Sequence, residues 1–409
     1  MRVLLFTGKG GVGKTTLAAS TAAVLARSGR KALVVSTDPA HSLGDALDVE
    51  LGGEPTELEP GLFAAHVDTR ALLDSAWSEL RGHLRTLLAG ACVDELLADE
   101  LTVLPGVEEL LALGEVRRRA QAGPWEVVII DCGPTAETLR LLGLPEALGG
   151  YLERLFPAHR RAVSGVLAAM AGASGRPESV LVRWEATAQA LGSLAEQLDA
   201  LRALLTDHDS TSIRLVLTPQ RLVAAETRRT ITSLALHGLR VDGLIANQLV
   251  PEPPASARGP SFRWLQARAA EQRAVLAELE ATDVPVRALP SAASEPIGVA
   301  ALAELGEALY GDDDPLVGAG AQPLLSVRRT AGKGTELDSE FELALRMPGA
   351  GGAAVDLARI GDELAVTVGG TRRLVALPAA LRRCTVAGAR LATDTLTVGF
   401  RPDPAKWMR

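Results

Sequence analysis

The 409-residue sequence has little cysteine, few aromatic residues and no excess of positive charge. Its three cysteines, Cys92, Cys132 and Cys384, are far apart and form no CxxC pair, which argues against a disulfide framework and a local zinc knuckle. The formal net charge is -8, whereas nucleic-acid phosphates bind clustered lysine and arginine. We therefore expect no nucleic-acid partner.

Long apolar runs are also missing. The most apolar stretch outside the first predicted strand lies around 163–175, is rich in Ala and Gly, and is shorter than the roughly 20 residues that span a bilayer. The chain begins on an apolar strand, without a charged leader and a small-residue cleavage site. We expect a cytoplasmic protein whose contact with membranes is at most peripheral.

Short apolar runs alternate with helical patterns over the first 310 residues. The runs are Val3–Phe6, Ala32–Val35, Val127–Ile130, Ile213–Leu217, Leu244–Ala246 and Val284–Leu289. Such alternation predicts an α/β domain over 1–310, with a mostly parallel sheet that is covered by helices on both faces. Leucines at helical spacing predict a helical insertion over about 148–210.

The pattern changes after Tyr310. A tract rich in Gly and Asp predicts a flexible linker over 311–338. From 339 to 409, apolar and polar residues alternate, as in 341–347, 364–368 and 396–400. This period of two predicts a small C-terminal all-β sandwich.

One segment matches the phosphate-binding P-loop pattern: Gly8-Lys9-Gly10-Gly11-Val12-Gly13-Lys14-Thr15. It follows a predicted strand and precedes a predicted helix. Its backbone N–H groups should bind phosphate oxygens, Lys14 should contact the β- and γ-phosphates, and the Thr15 hydroxyl should ligate magnesium. With the adjacent Thr16, the loop predicts that the chain binds ATP with magnesium and hydrolyses the γ-phosphate bond.

Two carboxylates stand where predicted strands end. Asp131 follows Val127–Ile130, the position of a carboxylate that holds magnesium through water. Asp38 follows the strand that begins at Ala32, at the carboxyl end where open α/β sheets bind ligands. We predict that Asp38 positions or activates the attacking water; the alternative is a helix N-cap.

Lys9 is not needed to bind phosphate within one chain. It is therefore a candidate for reaching the nucleotide of another subunit, and the alternative is a solvated loop lysine.

Four segments, in this order, resemble the arsenite-efflux and tail-anchored-protein-targeting ATPase family. They are GKGGVGKTT from Gly8, STDPAHSLGDAL from Ser36, LPGVEEL from Leu104 and DCGPTAETLRLL from Asp131. Asn247 matches the adenine-reading asparagine of this family, and Pro290 lies in a segment that matches its second adenine loop. The resemblance covers residues 1 to about 310.

The resemblance implies a homodimer that is switched by nucleotide, with one ATP site per chain. The lysine at the position of Lys9 contacts the partner's nucleotide in this family, and two segments move with the γ-phosphate. The matching switch residues here are Asp38, Pro39, His41, Asp131, Pro134 and Thr135. Catalytic roles then fall to Asp38, Lys9 and Lys14.

The resemblance also implies an apolar protein client, such as a tail-anchored protein. The alternatives are the ATPase subunit of an arsenite or anion efflux system and a nucleotide-sensing scaffold without significant turnover. Soft metalloids favour thiolates, and the chain lacks both the spaced metalloid-binding cysteines and the zinc-binding CxxC of its relatives. Protein handling or targeting is therefore the preferred role.

The C-terminal region resembles the α-crystallin-like domain of small heat-shock proteins, which is appended to some members of this family. The similar segments are 343–348, 356–368, 372–378 and 396–400. The region either binds clients or serves as a solubility or dimer-stabilising module, because a fold alone does not name a function.

Overall fold

The computed structural model of the protein describes residues 1–69, 71–72, 107–132, 196–197, 199–254, 256, 258–318, 323–334 and 336–407. These residues form an α/β body followed by a β-sandwich. The fold class predicted from the sequence is therefore confirmed.

One large sheet forms the centre of the α/β body. Its strands are β1 (Arg2–Gly8), β2 (Ala32–Ser36), β3 (Thr56–Glu59), β4 (Leu62–His66), β5 (Val127–Asp131), β6 (Thr211–Leu217), β7 (Val241–Leu249) and β8 (Val286–Pro290). Their order is β3-β4-β2-β5-β1-β6-β7-β8. All neighbours are parallel except β3, which runs antiparallel to β4.

Helices cover both faces of this sheet. They are α1 (Lys14–Arg27), α2 (Ser42–Leu47), α3 (Val107–Ala122), α4 (Arg221–Leu236), α5 (Pro260–Glu280) and α6 (Val299–Tyr310). Alternate residues of β1 enter opposite cores: Val3 and Leu5 pack with α3, α4 and α5, whereas Leu4 and Phe6 pack with α1, α2 and α6. Burial on both faces explains why the strands are almost continuously apolar.

Most of the predicted helical insertion over 148–210 lies outside the described residues. Its described end contains helical residues 199–206, and Leu201 and Leu205 are buried in the core beside α3 and α4. Among the helices that the structure describes, none has the length and apolar character needed to cross a membrane.

The C-terminal region consists of two antiparallel sheets. Its elements are β9 (Leu325–Ala331), β10 (Glu340–Arg346), β11 (Val355–Ile360), β12 (Glu363–Val368), β13 (Thr371–Ala376), α7 (Ala379–Arg382), β14 (Cys384–Ala392) and β15 (Thr395–Pro402). One sheet has the order β14-β15-β10-β9 and the other the order β11-β12-β13. Alternate residues such as Leu343 and Leu345 are buried in a shared core, as the period of two predicts.

Strand β9 corrects the predicted linker. It occupies seven residues of the segment 311–338 and pairs antiparallel with β10, with Val327 opposite Leu343. The prediction of flexibility is therefore wrong for Leu325–Ala331. Every residue of β9 is exposed, so the strand has no buried apolar face to mark it in the sequence.

The sandwich packs against the C-terminal half of α4. The Thr232 hydroxyl donates to the Pro348 carbonyl at 2.9 Å, and Leu236 is buried in the core of the sandwich. Ile231 and Leu234 of the same helix lie in the core of the α/β body. Helix α4 therefore contributes to both cores.

A buried polar network joins β6, β7, α1 and α6. The Arg214 guanidinium lies 3.4 Å from Asp242 and donates to the Tyr310 hydroxyl at 2.9 Å. Ser212 donates to Asp242 at 2.8 Å, and the Tyr310 and Thr21 hydroxyls are 2.8 Å apart. Because a buried charge without a partner is strongly unfavourable, this network stabilises the body only as a complete set.

We expect Asp242→Ala to lower the free energy of unfolding by about 3–5 kcal/mol, because it leaves the Arg214 guanidinium buried without its carboxylate. Denaturant unfolding followed by circular dichroism measures this loss. The matched control is Glu252→Ala, which breaks an exposed pair with Arg273 and should cost less than about 1 kcal/mol. Equal losses in the two variants would contradict the role of the network.

Candidate nucleotide-binding site

The glycine-rich loop connects the end of β1 to the start of α1. Gly8, Gly11 and Gly13 have φ of 153°, 77° and 92°, a region that side chains other than glycine rarely adopt. A β-carbon at Gly8 would lie 2.1 Å from the Val216 carbonyl of β6, so no larger residue fits there. The predicted P-loop therefore has the strand–loop–helix context that its mechanism requires.

The N-terminus of α1 is suited to bind an anion. Helix α1 begins at Lys14, and its N-cap residue, Gly13, has no side chain to accept hydrogen bonds from the first N–H groups. These groups carry partial positive charge and favour phosphate oxygens. The mostly buried Lys14 ammonium donates to the Lys9 carbonyl at 3.1 Å, so it lies against the same loop. Val12 is buried, and Thr16 is half-buried on α1.

Hydroxyl groups from two segments hold the Asp131 carboxylate. Thr15 and Ser36 donate to its Oδ2 at 2.8 and 3.0 Å, and the Thr15 hydroxyl is 3.2 Å from that of Ser42. Ser36 faces Asp131 across the paired strands β2 and β5. Ser36 and Ser42 lie in the family-like segment STDPAHSLGDAL, but the sequence analysis assigns neither a role; a signal for Ser36 is its place at the end of a strand adjacent to β5.

The second oxygen of Asp131 is buried and has no hydrogen-bond partner within the described ranges. Burial raises the pKa of Asp131 to about 6, although the hydrogen bonds from Thr15 and Ser36 and the charge of Lys14 lower it. A nearby cation would favour the charged form of this carboxylate. Together the hydroxyl and carboxylate oxygens form a donor set that fits a hard divalent cation such as magnesium.

Asp38 lies in a tight turn directly after β2. Its backbone N–H donates to the Ser36 hydroxyl at 3.2 Å, and its Oδ1 accepts the Ala40 N–H at 3.0 Å. Helix α2 begins at Ser42 and its N-cap residue is His41, so Asp38 is not the N-cap of this helix. Through Ser36, the Asp38 turn is hydrogen-bonded to Asp131.

The predicted switch segment contacts a residue that the sequence patterns do not indicate. His41 has φ of 57°, and its ring stacks on that of His66 with a centroid distance of 4.0 Å. Burial lowers the pKa of His66, and the charge of His41 lowers it further. Pro39 is exposed in the same turn. The predicted switch residues Pro134 and Thr135 lie outside the described residues.

The predicted adenine-reading residues lie at the carboxyl ends of β7 and β8. Asn247 donates to the Val12 carbonyl of the loop at 2.9 Å, and Gln248 donates to the Gly11 carbonyl at 3.3 Å. Gln248 has φ of 59°, and the pairing of β7 with β8 shifts here before Leu249 pairs with Pro290. The strained backbone turns two consecutive amide side chains towards the loop.

Lys9 forms an ion pair with Glu226 of α4. Both side chains remain partly exposed, at 48% and 42%. Sequence reasoning singles out Lys9 but not Glu226, which lies more than two hundred residues away.

Cys132 directly follows Asp131 and is buried. Burial raises its thiol pKa to about 12, which agrees with an inert packing residue beside the site.

Two family models match the chain. One, described as an anion-transporting ATPase, matches residues 1–311, and the other, an HSP20-like domain found in ArsA, matches residues 338–400. They confirm the two resemblances that the sequence motifs indicate.

Relatives are similar over most of the chain. Protein Rv2184c of Mycobacterium tuberculosis is 39% identical over 99% of this chain and 97% of its own length. A Chlorobaculum tepidum protein, whose name contains the words arsenical pump-driving ATPase, is 32% identical over 93% and 91%. ATPase GET3 of Podospora anserina is 31% identical over 63% of this chain and 75% of its own. The chain therefore belongs to the anion-transporting ATPase family, and its enzymatic class is that of an ATPase.

Proposed function

We propose that the chain is a magnesium-dependent ATPase, active as a nucleotide-switched cytoplasmic homodimer, that couples ATP hydrolysis to the handling or targeting of an apolar protein client. The observation that carries the ATPase site is the Thr15–Asp131 hydrogen bond at the glycine-rich loop, with the second carboxylate oxygen buried beside it. This arrangement combines an anion-binding helix terminus with the oxygen donors of a hard cation.

The loop binds the triphosphate in this proposal. Its N–H groups and those at the start of α1 donate to phosphate oxygens, and Lys14 moves from the Lys9 carbonyl to the β- and γ-phosphates. Magnesium, held by Thr15 and through water by Asp131, would neutralise charge on the phosphates. Asn247 and Pro290 then bind the adenine at the ends of β7 and β8.

Asp38 positions the attacking water. The hydrogen bonds to Ser36 and Ala40 place its carboxylate on the turn beside Asp131. The connection through Ser36 also gives the Asp38 turn a physical means to respond to what Asp131 binds. Together with Pro39, His41, Pro134 and Thr135, this turn is proposed to switch conformation with the γ-phosphate.

Lys9 completes the site of the partner subunit. The Lys9 ammonium of one chain would neutralise the negative charge that develops on the phosphates bound by the other chain. This is how arginine fingers act, and they contribute rate factors of about 10³ to 10⁵. The partly exposed side chain of Lys9 is accessible to a second copy of the chain. The isolated monomer should therefore be slow.

The client is proposed to be an apolar protein segment. The relationship to an ATPase named GET3 and the HSP20-like domain support a protein-handling role. The alternative, driving a metalloid or anion pump, has support from the family description and from the Chlorobaculum relative. The three widely spaced cysteines favour the first role, because soft metalloids bind clustered thiolates. Stimulation of turnover by arsenite would favour the second.

We expect Asp38→Asn to retain ATP binding and to lower kcat at least about 100-fold, because the amide cannot accept a proton from the attacking water. Calorimetry and a phosphate-release assay measure the two properties. Asp45→Asn, an exposed change on α2, is the control and should leave both unchanged. An unchanged kcat in Asp38→Asn would refute the role of Asp38 in positioning the water. Tight ATP binding without turnover in the unsubstituted protein would instead favour a nucleotide-sensing scaffold.

Mixing two inactive variants tests whether Lys9 acts across subunits. A mixed dimer of Lys9→Ala and Asp38→Asn chains has one site with both residues intact, so an equal mixture should recover about a quarter of the natural activity if chains pair at random. Phosphate release is measured after the chains have exchanged. Each variant alone is the control, and no recovery at any ratio would contradict action in trans.

Asp131→Asn tests the metal role. Asparagine can still accept hydrogen bonds from Thr15 and Ser36 but lacks the charge that holds the ion, so the magnesium concentration for half-maximal ATPase activity should rise about 10- to 100-fold. A magnesium titration at saturating ATP measures this shift. Asp48→Asn, exposed after α2, is the control. A shift no larger than that of the control would exclude Asp131 from metal binding.

A further inference from the structure

The ion pair between Lys9 and Glu226 joins the glycine-rich loop to α4 of the same chain. Lys9 is the residue proposed to serve the partner's nucleotide, yet here its ammonium contacts a carboxylate of its own chain. Both residues line a small cavity together with Gly8, Thr227 and Thr230. The lysine that a second subunit would need is therefore already engaged.

Glu226 is presented by a firmly held helix. Ala224 and Ile231 bury one face of α4 in the core of the α/β body, and Leu236 enters the core of the sandwich. Arg228 pairs with Glu278 of α5 at 3.3 Å. The backbone at Glu226 is therefore held in place by packing, so the pair can separate by side-chain motion without any shift of α4.

The chemistry of the Lys9–Glu226 pair allows the lysine to exchange the carboxylate for a phosphate. A lysine ammonium is a compact charge on a flexible stem, so it can leave one anion for another without a fixed fork geometry. A triphosphate carries more negative charge than one carboxylate and competes for the ammonium. Because the pair is about half exposed, its contribution is small, and a partner's nucleotide can displace it.

We propose that Glu226 is a positioning residue that holds Lys9 within its own chain and so opposes nucleotide-dependent dimerisation until a second copy presents its bound triphosphate. This inference rests on the proposed role of Lys9 in trans. The carboxylate touches no substrate; it acts through the lysine alone. The carboxylate therefore shifts the equilibrium towards monomers at low protein concentration.

Glu226→Gln removes the charge and keeps the shape of the side chain. We expect the protein concentration for half-maximal dimerisation in Mg-ATP to fall roughly two- to fivefold, as suits the loss of one exposed ion pair. Sedimentation velocity, with Asp38→Asn in every chain to preserve ATP, measures this midpoint. In chains with Asp38 intact, specific activity should rise at low concentration while kcat at saturating protein stays the same.

Glu278→Gln is the matched control, since it breaks the pair with Arg228 on the same helix without contacting Lys9. It should leave the dimerisation midpoint where it is. The double change Lys9→Ala with Glu226→Gln tests whether the carboxylate acts through the lysine. The double variant should behave as Lys9→Ala alone.

Three outcomes would overturn the proposal. They are an unmoved midpoint in Glu226→Gln, a lower kcat at saturating protein, and dimerisation of the double variant at concentrations where Lys9→Ala alone stays monomeric. Failure of the proposed function is separable from these results. If mixed Lys9→Ala and Asp38→Asn chains do not recover ATPase activity, Lys9 has no role in trans. If they do recover activity and the dimerisation midpoint of Glu226→Gln is unchanged, only the proposed role of Glu226 is wrong.

Discussion

The site depends on one buried carboxylate, Asp131, held by two hydroxyl groups. Its Oδ2 accepts hydrogen bonds from Thr15 at the start of α1 and from Ser36 at the end of β2. Since these residues come from three separate segments, the carboxylate fixes the glycine-rich loop relative to the Asp38 turn. Burial makes the charged form of Asp131 unfavourable without a counter-ion, so binding of a cation beside it would be favoured.

Sequence reasoning found the features whose signals are local. The loop from Gly8 to Thr15 is contiguous, and Asp131 directly follows an apolar strand, so each carries its chemistry and its context in a few residues. Asn247 came from the family resemblance, and its contact with the Val12 carbonyl places it beside the loop. The roles of these residues stay predictions, although the structure brings them together.

The features that sequence reasoning missed depend on pairing between distant segments. Strand β3 is four residues long with Leu58 as its single apolar residue, and every residue of β9 is exposed, so neither gives the sequence signal of a strand with one buried face. Glu226 becomes informative only once α4 packs beside the loop, because a single glutamate on a helix is usually solvated. His66, at the end of β4, stacks on His41 from a different segment, so its contact with the predicted switch segment is visible only in the structure.

Strand β9 also affects how the molecule behaves among its copies. It forms one edge of the four-stranded sheet, and such an edge offers unpaired backbone groups that favour aggregation. Arg328 and Arg329 are consecutive on this strand, so their side chains leave on opposite faces of the sheet, and Arg328 pairs with Glu342 of β10. Charged side chains on both faces of an edge strand are a feature that disfavours pairing with an identical edge. The arginines of β9 therefore oppose polymerisation of the sandwich through this edge.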